Sequence, residues 1–150
     1  MKICLVCSHG GHFAEMKRLR DALEDYDYFF VTYEAESTKN LKNAYFIKYE
    51  SSSLKLKIMI LGTFFKAFKI LIKEKPDVII STGGGEIAVP FCYIGKIFGI
   101  NIIYIETLAR VTTRSAGGRL VYPIADLFLV QWESLLDKYG SKAKYWGNII

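Results

Sequence analysis

Proline, cysteine and histidine are scarce in this sequence. Three prolines in 150 residues leave no proline-rich linker or extended low-complexity segment. The three cysteines, Cys4, Cys7 and Cys92, are odd in number and sit inside apolar runs, which excludes a disulfide framework and predicts reduced core thiols. Cys4 and Cys7 have C-x-x-C spacing. Positions three apart on a strand point to opposite faces, so neither a bridge nor a shared metal is expected. A strand-like run from residue 2 followed at once by a polar glycine turn does not read as a secretory leader. No G-x-G-x-x-G is present, and no P-loop lysine follows a glycine loop. Lysines interrupt the longest apolar segment too often for a membrane span of ~20 mainly apolar residues.

Apolar residues, by contrast, are plentiful: 51% of the chain is hydrophobic and 15% aromatic, enough for a well-filled core in one domain spanning 1–150. The net charge is +5, and its location matters more than its size. Residues 54–75 hold six lysines against one glutamate, which accounts for the whole excess. A nucleic-acid binder spreads arginines and aromatics over a face, so a nucleic-acid partner is not expected.

The chain reads as alternating strands and helices. Continuous apolar runs predict strands at 2–7, 28–33, 44–49, 77–82, 101–106 and 127–132, with a last one at 143–146. Helical spacing of Phe13, Met16, Leu19, Ala22 and Leu23 predicts a helix over 13–23. Ser51, Ser52 and Ser53 offer caps to a long helix over 54–74, and a further helix follows the glycines to end near Gly99. Pro90 inside that pattern predicts a kink or a late start. Residues 34–43 and 107–119 read as polar excursions. Strands that are apolar throughout favour a parallel sheet covered on both faces, an α/β fold of Rossmann-like type.

In such sheets ligands sit beyond the carboxyl ends of the strands. Three loops there carry chemistry. The first, S-H-G-G-H-F-A-E-M, holds the only two histidines of the chain. Gly10 and Gly11 permit a tight turn at a helix N-terminus that can hold an anion, and His12 can act as base or phosphate donor. A zinc site from Cys7, His9 and His12 fits no standard ligand spacing, so no metal is expected. His9 reads as a turn residue. The second loop, S-T-G-G-G-E-I-A-V-P, lets the backbone approach a ligand at Gly83, Gly84 and Gly85. Glu86 suits the helix start but would repel a phosphate, which points this loop toward a sugar or a protein. The third follows Glu106 and carries Arg110 and Arg114, candidates for pyrophosphate beside two glycine loops.

The long helix has Lys55, Lys66, Lys69 and Lys73 along one stripe, and an apolar arc, with Phe64 and Phe65, wider than one sheet contact would bury. This composition fits an anionic membrane surface or another subunit.

Together S-H-G-G-H-F-A-E-M, S-T-G-G-G-E-I-A-V-P, E-T-L-A-R and Y-P-I-A-D-L-F-L-V-Q-W resemble, in order and spacing, the acceptor-side subunit of split GT-B glycosyltransferases. That family includes the membrane-recruiting subunit of the enzyme that adds the second N-acetylglucosamine to a dolichol-linked oligosaccharide. It also includes bacterial capsule and exopolysaccharide subunits. The first loop is similar to the G-G-T-G-G-H loop of the peptidoglycan enzyme that makes lipid II.

The resemblance implies an inverting transferase with no cofactor. This chain would bind a lipid-pyrophosphate-linked sugar acceptor, and a donor-binding partner subunit would bind the nucleotide sugar. His12 or Glu106 would be the base, and Gly10, Gly11, Gly83, Gly84, Gly85, Arg110 and Arg114 would hold the acceptor. The eukaryotic subunit carries an amino-terminal anchor. The strand beginning at residue 2 therefore assigns attachment to the lysine-rich helix, at the inner face of the cytoplasmic membrane, and makes the prokaryotic polysaccharide relatives the nearer match. Two other classes are compatible with the residues: a non-catalytic scaffold recruiting a transferase, and a stand-alone nucleotide-binding protein. No acidic residue clearly ends the second strand for a ribose, which weighs against the last.

Overall fold

Seven apolar runs pair side by side as parallel strands in the computed structural model, which describes residues 1–49 and 53–149. They are β1 (Lys2–Cys7), β2 (Asp27–Tyr33), β3 (Ala44–Ile47), β4 (Val78–Gly83), β5 (Asn101–Ile105), β6 (Leu127–Val130) and β7 (Ala143–Tyr145). Their order across the sheet is β3-β2-β1-β4-β5-β6-β7. β1 pairs with both β2 and β4, so the strand order reverses between β1 and β4. A crevice opens at that point beyond the strands' carboxyl ends. The Rossmann-like α/β reading therefore holds.

The alternation of β1 divides the core. Cys4 and Val6 join Phe29, Val31, Ile79 and Ile102 on one face, beneath α2 (Ser53–Glu74) and α3 (Gly85–Ile97). Ile3, Leu5 and Cys7 join Phe30 and Ile80 on the other, beneath α1 (Gly11–Arg18). Cys4 and Cys7 thus lie on opposite faces, both free and buried. Two short helices complete the chain, α4 (Ala116–Val121) and α5 (Leu136–Tyr139).

Some boundaries differ from expectation. α1 stops at Arg18, and Arg20–Leu23 continues as a tighter 3-10 turn. The periodic pattern had counted Ala22, which is exposed, and Leu19, which is only half-buried. α3 starts at Gly85, five residues before Pro90, so the late start does not occur. α4 begins inside the expected polar excursion, at Ala116, and runs two residues past its end. The expected caps Ser51 and Ser52 lie outside the described residues, as does the side chain of Ser53.

Candidate functional site

The three loops meet at the crevice. Gly10 takes φ 73°, a left-handed conformation natural to glycine, and α1 begins at the next residue. Among the described residues no side chain caps this end, and no acidic residue occupies its first turn. The first helical bond runs from the Ala14 N–H to the Gly10 carbonyl, so the amides of Gly11, His12 and Phe13 stand ahead of the ladder. An anion is the natural partner for such an end.

His12 is held by a reciprocal pair of bonds. Its Nδ1 lies 2.7 Å from the Thr82 carbonyl oxygen, and the Thr82 hydroxyl donates to the His12 carbonyl at 2.8 Å. A carbonyl only accepts, so Nδ1 carries the proton and Nε2 keeps its lone pair in the neutral ring. The ring rests against Gly83. A Cβ there would lie 2.6 Å from the His12 Cε1, and Gly83 has φ +111°. Gly84, also left-handed, passes so close to Ser8 that a Cβ would stand 2.7 Å from the Ser8 amide nitrogen.

The third loop is anchored by two buried carboxylates. Glu106 is fully buried. Its Oε1 accepts the Thr107 N–H at 2.9 Å; its Oε2 accepts the Ser115 N–H at 3.1 Å, the Ser115 hydroxyl at 2.9 Å and the Tyr139 hydroxyl. Four donors use the acceptor capacity of a carboxylate. This revises the expectation for Glu106 as a base: it sits behind the cleft wall and pins the loop to α4 and α5. Glu15, on α1, is the second anchor. It accepts the Thr107 hydroxyl at 2.8 Å, the Leu108 N–H at 3.3 Å and the Gln131 amide at 2.9 Å. Gln131 also donates to the Glu106 carbonyl and accepts the Ile149 N–H. The indole of Trp132 adds a bond to the Leu108 carbonyl at 2.7 Å. The helix that carries His12 is thereby tied to the loop that carries Arg110.

Between these loops lies an open cleft of about 490 Å³. His12, Gly84, Gly85, Glu86, Arg110 and Ser115 line it, and His9, Tyr33 and Tyr49 form an aromatic wall. Of the expected ligand-holding residues, Gly84, Gly85 and Arg110 face the cleft. Gly10 and Gly11 are exposed at the cap and first residue of α1, and Gly83 is buried under the His12 ring. Arg114 does not join them; its guanidinium sits 5.9 Å from the Tyr139 ring centroid. Cys7, His9 and His12 diverge, since Cys7 is in the core, His9 packs on the tyrosines and His12 on Thr82.

On α2, Lys55, Phe65, Lys66, Lys69 and Lys73 are exposed, and Phe64 is half-buried. Lys69 Nζ lies 4.6 Å from the Phe65 ring centroid. Among the described residues no helix is long and apolar enough to cross a membrane.

Glu15, Gln131, Tyr33, Tyr49, Ser115 and Tyr139 escape a reading of the sequence. Two of them leave a signal: Glu15 stands beside core positions Phe13 and Met16, and Gln131 interrupts the run L-F-L-V-Q-W. A polar residue inside an apolar pattern asks for a buried partner.

The family described as "Oligosaccharide biosynthesis protein Alg14 like" matches residues 50–149. The chain belongs to the Alg14 family. The UDP-N-acetylglucosamine transferase subunit alg14 of Schizosaccharomyces pombe is 35% identical over a match covering 93% of this chain and 79% of that protein. The Candida albicans subunit is 45% identical over 53% of this chain, but the match spans 38% of that protein. Crystalline MurG from Acinetobacter baumannii shares the fold, with a TM-score of 0.77 and 14% identity over 97% of this chain and 45% of MurG. Alg14 relatives are thus subunits of a glycosyltransferase of oligosaccharide biosynthesis.

Proposed function

We propose that this Alg14-family chain is the acceptor-binding subunit of a two-chain inverting glycosyltransferase. It presents a lipid-pyrophosphate-linked sugar to a partner subunit that holds the nucleotide sugar. The observation that carries this reading is that Arg110 and a histidine whose Nε2 lone pair is left free line one cleft, and that this histidine sits in the first turn of a helix whose start no side chain caps among the described residues. The histidine suits proton removal from a hydroxyl, and Arg110 and the helix start suit a pyrophosphate.

In the reaction, the acceptor hydroxyl oxygen attacks the anomeric carbon of the donor. The new glycosidic C–O bond forms as the bond to the nucleoside diphosphate breaks, with inversion. The hydroxyl proton passes to His12 Nε2. Gly10, Gly11 and Arg110 hold the acceptor pyrophosphate, and Glu106 keeps the Arg110 loop in place rather than taking a proton. The partner stabilises the leaving diphosphate. The exposed apolar and lysine-rich side of α2 holds the chain at the inner face of the cytoplasmic membrane.

Calorimetry and a turnover assay together test the reading. The chain alone is expected to give no heat with UDP-N-acetylglucosamine and no product, and to give product once the donor-binding subunit is added. Tight binding of the nucleotide sugar to the chain alone would overturn the division of labour.

A further inference from the structure

One wall of the cleft has no part in proton transfer or pyrophosphate binding. His9, Tyr33 and Tyr49 pack edge to face, with ring centroids 5.7 Å (His9–Tyr33), 5.6 Å (His9–Tyr49) and 5.1 Å (Tyr33–Tyr49) apart. All three line the cleft. Tyr33 is 1% exposed, and among the described residues its hydroxyl has no hydrogen-bond partner. A buried phenol without a partner is uncommon, because leaving such a group unmade is costly. Glu86, in the first turn of α3, lines the same cleft. Burial first, and then the nearby Glu86 charge, push the Tyr33 phenol well above its usual range, so it stays a proton donor. The Glu86 carboxylate only accepts, and it repels phosphate.

A free O–H donor, a carboxylate acceptor and the exposed rings of His9 and Tyr49 match a pyranose: its C–H surface lies on rings while its hydroxyls divide between acceptor and donor. We infer that His9, Tyr33, Tyr49 and Glu86 form a sugar subsite that takes the ring attached to the pyrophosphate, and that Tyr33 and Glu86 are its hydrogen-bonding pair. This rests on the acceptor reading above and orients the acceptor within it. The pyrophosphate lies toward Arg110 and α1, the sugar toward Tyr33, and His12, between the two loops, lies within reach of the sugar's hydroxyls.

The test is calorimetry on the full chain with three probes: a short prenyl pyrophosphate bearing one N-acetylglucosamine, the same prenyl pyrophosphate without sugar, and UDP-N-acetylglucosamine. The wild type is expected to bind the sugar-bearing probe about tenfold or more tighter than the sugar-free one. Tyr33→Phe is expected to weaken only the sugar-bearing probe, by about fivefold, and Glu86→Gln by about tenfold or more. Tyr33→Phe removes an unpaired buried hydroxyl, so its melting temperature should hold or rise, which separates a ligand role from a structural one. If both variants weaken the two prenyl probes equally, or leave both unchanged, the subsite is overturned while the acceptor reading stands. If the wild type binds UDP-N-acetylglucosamine and neither prenyl probe, the acceptor reading is overturned and the subsite falls with it.

Discussion

His12 and Thr82 are bonded twice, ring nitrogen to carbonyl at 2.7 Å and hydroxyl to carbonyl at 2.8 Å, across 70 residues of sequence. This pair of hydrogen bonds staples the start of α1 to the end of β4. It fixes the tautomer, and with it the nitrogen left to take a proton. In the reconstituted two-subunit enzyme, His12→Ala is expected to lower kcat by about 10²–10⁴-fold with a smaller change in KM. Unchanged turnover would remove His12 from the mechanism. Gly83→Ala probes the same arrangement without touching the imidazole. A left-handed φ and a 2.6 Å approach to the ring should cost about 1–3 kcal/mol in urea unfolding and displace the imidazole proposed as base, lowering kcat as well.

Glu15 joins three donors from two different segments, which makes it the hinge between the His12 helix and the Arg110 loop. Glu15→Ala leaves the Thr107 hydroxyl, the Leu108 N–H and one Gln131 bond without an acceptor. The expected loss is about 3 kcal/mol or more in chemical denaturation. Glu15→Gln keeps the shape but can turn an amide N–H₂ toward the Gln131 amide donor. It should fall between the wild type and Glu15→Ala, and, on the proposed function, raise KM for the acceptor more than it lowers kcat, because the Arg110 loop rather than His12 is disturbed.

How far the sequence reveals these features depends on the range of the interaction. K-I-C-L-V-C reads at once as β1, because a strand buried on both faces is apolar at every position after its first residue, Lys2. The convergence of three loops follows from strand topology alone, since parallel strands deliver their carboxyl ends to one edge. α4 is illegible for the opposite reason. Its sequence, A-G-G-R-L-V, has poor helix propensity. The glycines are there because Gly117 packs backbone to backbone on Gly85, and because a Cβ on Gly118 would collide with the Tyr139 hydroxyl and Glu106 Oε2. Glu106 misleads similarly. A carboxylate at a strand end looks available until Ser115 and Tyr139, nine and 33 residues away, are seen to fill it.

Glu74, at the end of α2, accepts from Lys2 Nζ at 2.5 Å and from the Tyr45 hydroxyl, tying β1 and β3 to the helix. The bond from Lys2, and then that from Tyr45, hold its carboxyl below the usual value of 4.5. A depressed folded value means that the stabilisation is complete above the unfolded value and is lost as pH falls through the folded one. Unfolding free energy should therefore decline on acidification below about pH 4.5, and Glu74→Gln should flatten that decline while lowering stability at neutral pH. Denaturation at a series of pH values measures both; parallel curves for the two proteins would exclude Glu74 as the group responsible.

The solvent side of α2 carries Ile58, Leu61, Phe65, Phe68 and Ile72, exposed by 64, 73, 63, 44 and 48%. They alternate at spacings of three and four, a continuous apolar stripe, and Lys55, Lys66, Lys69 and Lys73 run along one flank. A protein partner would satisfy the apolar stripe alone, whereas the exposed lysines beside it, with Lys57 on the other flank, suit the anionic surface proposed above. At about 1 kcal/mol per lysine, reversing Lys66 and Lys69 to glutamate should weaken binding to vesicles containing phosphatidylglycerol about thirtyfold or more. Binding to phosphatidylcholine vesicles should change little, and Leu61→Ser with Phe65→Ser should weaken binding to both. Because these side chains are exposed in the folded chain, the melting temperature should stay nearly constant in every variant. Sedimentation with the two kinds of vesicle reads the result. Charge reversal that leaves phosphatidylglycerol binding intact would reassign the stripe from the membrane to a helix of another subunit.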